Sequence, residues 1–184
     1  RALVSAGKPL LLLNPPHVPH LPGLLACGLA PQDLVWIEAA TPQQQLWAAE
    51  QAIKSNAAGA IIAWLPQARP EQIRRLQTHA LAAESPIFVL RPLTLAQQQS
   101  SAAPLRLAVE TGDGWALSLR ILKRRGPVFE GRLDLLAMPT DLARALSPRM
   151  LQARPAGPHP FPPTVEPRRH ALARAASHQP AAHG

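Results

Sequence analysis

The densest group of side chains able to hold an anion is Lys123-Arg124-Arg125, with Arg120 just before it. Ammonium and guanidinium groups at a strand end can grip a phosphate or an acidic protein face. Alternation along a strand sends Lys123 and Arg125 to one side and Arg124 to the other. The plainer account of such a run is a solvated strand end. Arg69, Arg74, Arg75 and Arg91 form a second basic set, flanking or lying on a helix and ending a strand. They face the same pair of readings, since arginines on helix surfaces are usually just solvated. If they meet phosphates, binding weakens steeply with salt.

Other chemistry is thinly represented. His17 and His20 stand three apart in a proline-rich loop, with Cys27 the only thiol in the chain. Zinc needs more ligands than these offer. Cys27 sits in an apolar stretch, Leu24 to Leu29, and is expected to be a small buried hydrophobe. The histidines at 159, 170, 178 and 183 are too scattered to form a site, and Ser5 lacks the glycines of a nucleophile turn. Neither Gly-x-x-x-x-Gly-Lys-Ser/Thr nor Gly-x-Gly-x-x-Gly occurs, so no phosphate-cradling loop is present. The strand-like run from Gly59 to Leu65 carries Ala63 and Trp64 where a nucleotide hydrolase places a magnesium-binding Asp. With 11 acidic residues and no evident carboxylate pair, general acid–base catalysis is not indicated. The expectation is a protein that is not an enzyme and has no cofactor.

The elements that must position these residues alternate. Apolar runs at 10–13, 34–37, 59–65 and 87–90 read as strands buried on both faces. Between them lie a short helix from Leu21 to Leu29, a helix from Thr41-Pro42 to about Ser55, and one opened by Pro70. Leu46, Ala49, Ile53 and Ala57 share one face of the second helix; Ile73, Leu76 and Ala80 share one face of the third. Such order implies parallel strands with right-handed crossovers. Residues 93–103 are Gln/Ser-rich and read as a surface loop. Leu105–Val109 and Trp115–Leu122 around Gly112-Asp113-Gly114 read as a hairpin. Trp36 and Trp64 fall inside strands and are expected in the core.

The expected fold is therefore α/β: a mostly parallel central sheet, helices on both faces, and an antiparallel hairpin at one edge. It occupies residues 1–138. Residues 139–184, rich in Pro, Ala, Arg and His, are expected to be a basic tail, mostly disordered, with a short helix near Asp141–Leu146. The chain has 184 residues, 47% hydrophobic and 4% aromatic, with no Tyr, so Leu, Ile, Val and Ala must build the core. Net charge is +8, which suits a polyanion or an acidic partner without deciding between them. One cysteine allows no internal disulfide and fits a reducing cytoplasm. No run approaches the ~20 apolar residues of a membrane span. The first residues, Arg1-Ala2-Leu3-Val4, have neither an initiator Met nor a signal-peptide layout, and read as the start of a piece of a longer product.

Four segments carry a family resemblance across roughly residues 1–138: Pro15-Pro16-His17-Val18-Pro19, Leu46-Trp47-Ala48-Ala49-Glu50-Gln51-Ala52, Ala63-Trp64-Leu65-Pro66, and Leu122-Lys123-Arg124-Arg125-Gly126-Pro127. In this order and spacing they resemble ImuA, the translesion-synthesis family related to RecA and SulA. The resemblance implies a RecA-like core, truncated at its N-terminus. RecA's catalytic carboxylate would fall at Pro16, and the Walker B strand at Ala58–Leu65 without its Asp. Lys123 and Arg125 would match the lysines that reach a neighbouring subunit's nucleotide. It further implies a role in the SOS response, DNA damage tolerance and mutagenesis, with an ImuB-type inactive polymerase relative and RecA as partners. Single-stranded DNA would be an additional ligand. SulA, the division inhibitor that binds FtsZ, shares part of the pattern at Trp64-Leu65 and Phe88–Pro92; such chains stop soon afterwards, whereas this one continues into the Lys-Arg-Arg hairpin. A RecA-like DNA-dependent ATPase is a third alternative, opposed by Pro16 and Ala63.

Overall fold

The computed structural model describes residues 7–112, 115–138 and 144. Four parallel strands, β1 (Leu10–Leu13), β2 (Leu34–Ile37), β3 (Ala60–Trp64) and β4 (Ile87–Leu90), form one sheet in the order β2-β1-β3-β4. Each is a short apolar run, the pattern parallel strands carry, though β2 and β4 stay partly exposed. Helices α1 (Leu21–Ala26), α2 (Pro42–Ser55) and α3 (Pro70–Ala80) link them.

Helix α2 begins where its sequence dictates. The Thr41 hydroxyl accepts from Gln44 N–H while the Gln44 side chain accepts from Thr41 N–H, both at 3.2 Å. Pro42 supplies a pre-set φ at the first helical position. The helix stops at Asn56, whose φ of 51° takes the chain into the left-handed region. Ala57 is consequently exposed beyond the helix and does not extend its buried face as the spacing suggested.

Helices α2 and α3 pack on one face of the sheet. Leu46, Ala49 and Ile53 of α2 and Ile73 and Leu76 of α3 close over Leu11 and Leu13 of β1 and Ile61 and Ala63 of β3. In the strands these residues alternate, so Leu12, Ile62 and Phe88 point to the other side. A right-handed step from β1 to β2 runs opposite to the steps that follow, which puts α1 on that second side. It covers little there, because none of its residues is buried. Phe88 remains 53% exposed and Trp36 39% exposed. Trp36 is thus not in the core; it sits on β2, an edge strand of the sheet. Trp64 is only partly buried. Cys27, just after α1, is exposed rather than a buried hydrophobe, for the same reason.

After β4 the expected loop contains a helix, α4 (Leu93–Gln98). The chain then forms β5 (Arg106–Thr111), β6 (Ala116–Lys123) and β7 (Arg132–Leu136). These pair antiparallel as a separate three-stranded sheet in the order β5-β6-β7. The hairpin is therefore not an edge of the parallel sheet. Helix α4 and the residues up to 105 carry the chain away from β4, and β6 satisfies β5 locally. Gly112 N–H donates to Ala116 C=O at 2.8 Å and closes the hairpin; Asp113 and Gly114 of the expected turn lie outside the described residues. Strand β7 had no counterpart among the sequence-predicted elements. Residues 1–6 lie outside the described residues, as do 139–184 apart from Arg144, so the expectations of a disordered tail and of tail histidines fall there.

Register divides the second sheet into unlike faces. Leu107, Val109, Leu117, Leu119, Ile121, Leu133 and Leu135 share one side. The other carries Glu110, Arg120, Arg132 and Asp134 around buried Ala108 and Ser118.

Candidate functional site

Open parallel sheets bind ligands beyond the carboxyl ends of their strands, often where the chain reverses its order. Here the reversal lies between β1 and β3. Asn14 follows β1, but both ends of its amide are occupied. Its Nδ2 donates to Ala39 C=O at 2.8 Å, and its Oδ1 accepts from Ala39 N–H at 3.1 Å. Pro15, Pro16 and His17 continue outward, and Pro66 follows the β3 strand. Neither strand end carries a carboxylate. A nearby cavity lined by Pro42, Gln45, Leu65 and Gln72 holds only ≈ 10 Å³, room for about one water.

The basic residues gather one strand further along, at the carboxyl ends of β3 and β4. Arg91 leaves β4 and its Nη2 donates to Ala68 C=O at 2.5 Å and to Gln99 Oε1 at 2.6 Å. Arg106 Nη2 donates to Gln99 C=O at 3.2 Å, and Lys123 Nζ to Ser101 C=O at 2.9 Å. These bonds join the end of β4, the start of β5 and the end of β6. Beside them opens a cleft of ≈ 540 Å³ lined by Pro70, Glu71, Arg74, Ser100, Ser101, Ala102 and Lys123. The first turn of α3 contributes its amide dipoles to the same wall. Arg74 and Lys123 are exposed and supply positive charge, Ser100 and Ser101 supply hydroxyls, and Glu71 is the one acidic lining residue.

The structure sorts the sequence-predicted residues. Arg74 and Lys123 meet at the cleft, and Arg69 precedes it as the residue before α3. Arg91 lies behind the cleft with a structural task. Its Nε is buried without a hydrogen-bond partner, and burial first, then the Arg106 charge, pulls its pKa below the ordinary guanidinium value. Arg75 turns away to bond the buried carboxylate of Glu50 on α2. Arg120 lies on the polar face of the second sheet, 3.8 Å from Glu110. The strand ends at Lys123, so the alternation stops before Arg124 and Arg125. Arg124 Nε donates to Pro127 C=O at 2.7 Å within the turn, and Arg125 is exposed. Sequence reasoning missed Ser100, Ser101 and Gln99. They lay in a segment read as loop, and only three-dimensional closure sets them beside Lys123.

Among the described residues, no group of three or more His, Cys, Asp or Glu could hold a metal ion. His20 caps α1, its Nδ1 accepting from Gly23 N–H at 3.2 Å. Among the described residues no helix is long and apolar enough to cross a membrane.

No family model matches the chain, and no curated protein matches it. Among solved structures, it is similar to the crystal structure of SulA from Pseudomonas aeruginosa, with a TM-score of 0.39 and 15% sequence identity. That alignment covers 46% of this chain and 71% of the other.

Proposed function

We propose that this chain is a non-catalytic accessory protein of SOS-induced translesion DNA synthesis, of the ImuA type and with a RecA-like core. It binds an ImuB-type polymerase relative and RecA, and it holds single-stranded DNA at the basic cleft. The observation that carries the reading is the meeting of Arg74 and Lys123 with Ser100 and Ser101 beyond the carboxyl ends of β3 and β4. Charge, hydroxyls and a helix start are what a phosphate chain requires. The strand ends that would need carboxylates for nucleotide hydrolysis carry Asn14-Pro15-Pro16 and Leu65-Pro66 instead. That supports binding without turnover.

Two measurements test this. The protein is first used to retain ImuB-type, RecA and FtsZ partners from the same source, with and without ATP. Retention of the first two, independent of ATP, is expected. Retention of FtsZ alone would replace the reading with division inhibition, and an ATP requirement would reopen the ATPase alternative. Second, anisotropy of a labelled single-stranded oligonucleotide is followed against salt. Binding should weaken steeply with salt, and the slope should fall by about one for Lys123→Ala and again for Arg74→Ala. A flat salt response removes DNA from the proposal.

A further inference from the structure

The two walls of the basic cleft are joined from behind by one pair of side chains. Pro70, Glu71 and Arg74 of α3 form one wall; Ser100, Ser101 and Ala102 form the other, with Lys123 of β6 beside them. Arg91 Nη2 donates to Ala68 C=O at 2.5 Å, just before α3 opens, and to Gln99 Oε1 at 2.6 Å, just before Ser100. A single guanidinium nitrogen, with a hydrogen for each acceptor, therefore ties both walls together.

Gln99 holds more than this bond. Its N–H donates to Leu95 C=O at 3.0 Å where α4 ends, and its C=O accepts from Arg106 Nη2 at 3.2 Å where β5 begins. One residue thus carries Arg91 of the parallel half on its side-chain oxygen and Arg106 of the antiparallel half on its backbone oxygen. Burial first, and then the charge of Arg106, lower the Arg91 pKa, so the two cations sense each other across this joint. Without the amide oxygen between them, like charges push the joint apart. Beyond Gln99, Ser101 Oγ accepts from Ala103 N–H at 3.2 Å, and Ser101 C=O accepts from Lys123 Nζ at 2.9 Å. The Ser101 hydroxyl hydrogen and the remaining ammonium hydrogens are left for a ligand oxygen in the cleft.

We infer that Gln99 is a positioning residue for the cleft: by holding Arg91 and Arg106 on its two oxygens it sets Ser100, Ser101 and Lys123 opposite Arg74, and it couples filling of the cleft to closure of the joint between the parallel and antiparallel halves. Gln99 does not itself line the cleft. The inference rests on the reading of the cleft as a site for DNA phosphates. Coupling of this kind is reciprocal: a phosphate chain bridging Arg74 and Lys123 tightens the joint by the factor that the joint adds to binding.

The test uses the full chain, with oligothymidylate as the probe. Anisotropy compares the native protein, Gln99→Met and Gln99→Glu in moderate salt, where an added charge is largely screened. Gln99→Met keeps the length and loses the accepting oxygen. It should weaken binding at least about fivefold with an unchanged salt slope, because no phosphate contact is removed. Gln99→Glu keeps the oxygen and should regain most of that loss. Native affinity in Gln99→Met, equal losses in both variants, or a reduced salt slope would each overturn the inference. Hydrogen exchange on the native chain covers the case in which Gln99→Met fails to fold. With oligothymidylate about 100-fold above its Kd, amides of β5 and β6 should exchange up to about 100-fold more slowly, because opening the joint releases the ligand. Unchanged exchange alongside measured binding overturns the inference and leaves the reading of the cleft standing. Absence of binding by the native chain removes that reading and the inference together.

Discussion

Asn14 and Asn56, the non-glycine residues with positive φ among those described, each turn a backbone demand into cross-linking. Asn14 ties the end of β1 to the chain after β2 through two hydrogen bonds with Ala39. Each such bond is worth about 0.5–1.5 kcal/mol net, and a left-handed backbone disfavours alanine by about 1 kcal/mol more. Asn14→Ala should therefore lose about 2–4 kcal/mol in urea unfolding, and Asn14→Gly about 1 kcal/mol less than that, because glycine restores only the backbone freedom. Equal losses would mean the φ value is not a constraint. Glu50 presents a second residue-scale test. Its carboxylate is buried and meets the half-exposed Arg75. Arg75→Ala strands that charge and should lower stability by about 1–3 kcal/mol. Adding Glu50→Met should recover part of the loss, since an apolar replacement has no charge left to satisfy. Thermal unfolding of the three proteins decides it.

At the scale of elements, the start of β1, the end of α2 and the approach to β4 are clamped together. Lys8 Nζ donates to Asn56 C=O at 3.1 Å and pairs with Glu84 at 3.2 Å, while Glu84 N–H donates to Asn56 Oδ1 at 3.1 Å. The hydrogen bond from Lys8, then its charge, then the Asn56 bond hold the Glu84 carboxyl below its ordinary 4.5. The stabilisation this implies is complete above 4.5 and fades as pH falls through the depressed value. An acid titration of stability should show this loss in the native protein and lack it in Lys8→Met; identical profiles would dismiss the clamp. The parallel half of the fold was legible because each signal was local: apolar runs for the strands, Thr41-Pro42 and Pro70 for the helix starts. Strand β7 was missed although Arg132-Leu133-Asp134-Leu135 alternates: Gly126-Pro127 marks a turn after β6, but the connection over residues 124–131 is longer than the loops that identify a hairpin from sequence. Separation of the two sheets depends on where α4 carries the chain, which no local pattern encodes. At the cleft, Arg74 and Lys123 were legible as charges; Ser100 and Ser101 were not, because uncharged loop residues acquire a role only from their neighbours. Arg75 and Arg91 resembled their basic neighbours in sequence, and burial of Glu50 and Ala68 beside them made the difference.

In the whole molecule, the large hydrophobic cluster is built from β1, β3, α2 and α3, with Ile37 of β2 and Ile87 and Val89 of β4 packed against it, and includes nothing from β5, β6 or β7. The hydrogen bonds described between the halves pass through Gln99 and Ser101. Such a join is weaker than a shared core, because each neutral bond exchanged with water nets only about 1 kcal/mol. All-or-none melting belongs to chains with one contiguous interior, and the described residues of the two halves share none. Scanning calorimetry should resolve two heat-absorption peaks, the antiparallel unit first, and Gln99→Ala should move them further apart. A single peak with matching calorimetric and van't Hoff enthalpies would refute this. Two loosely coupled melting units would also mean that a partner gripping β5–β7 can pry that unit open while the parallel half stays folded, so the chain yields at one end without losing its larger core.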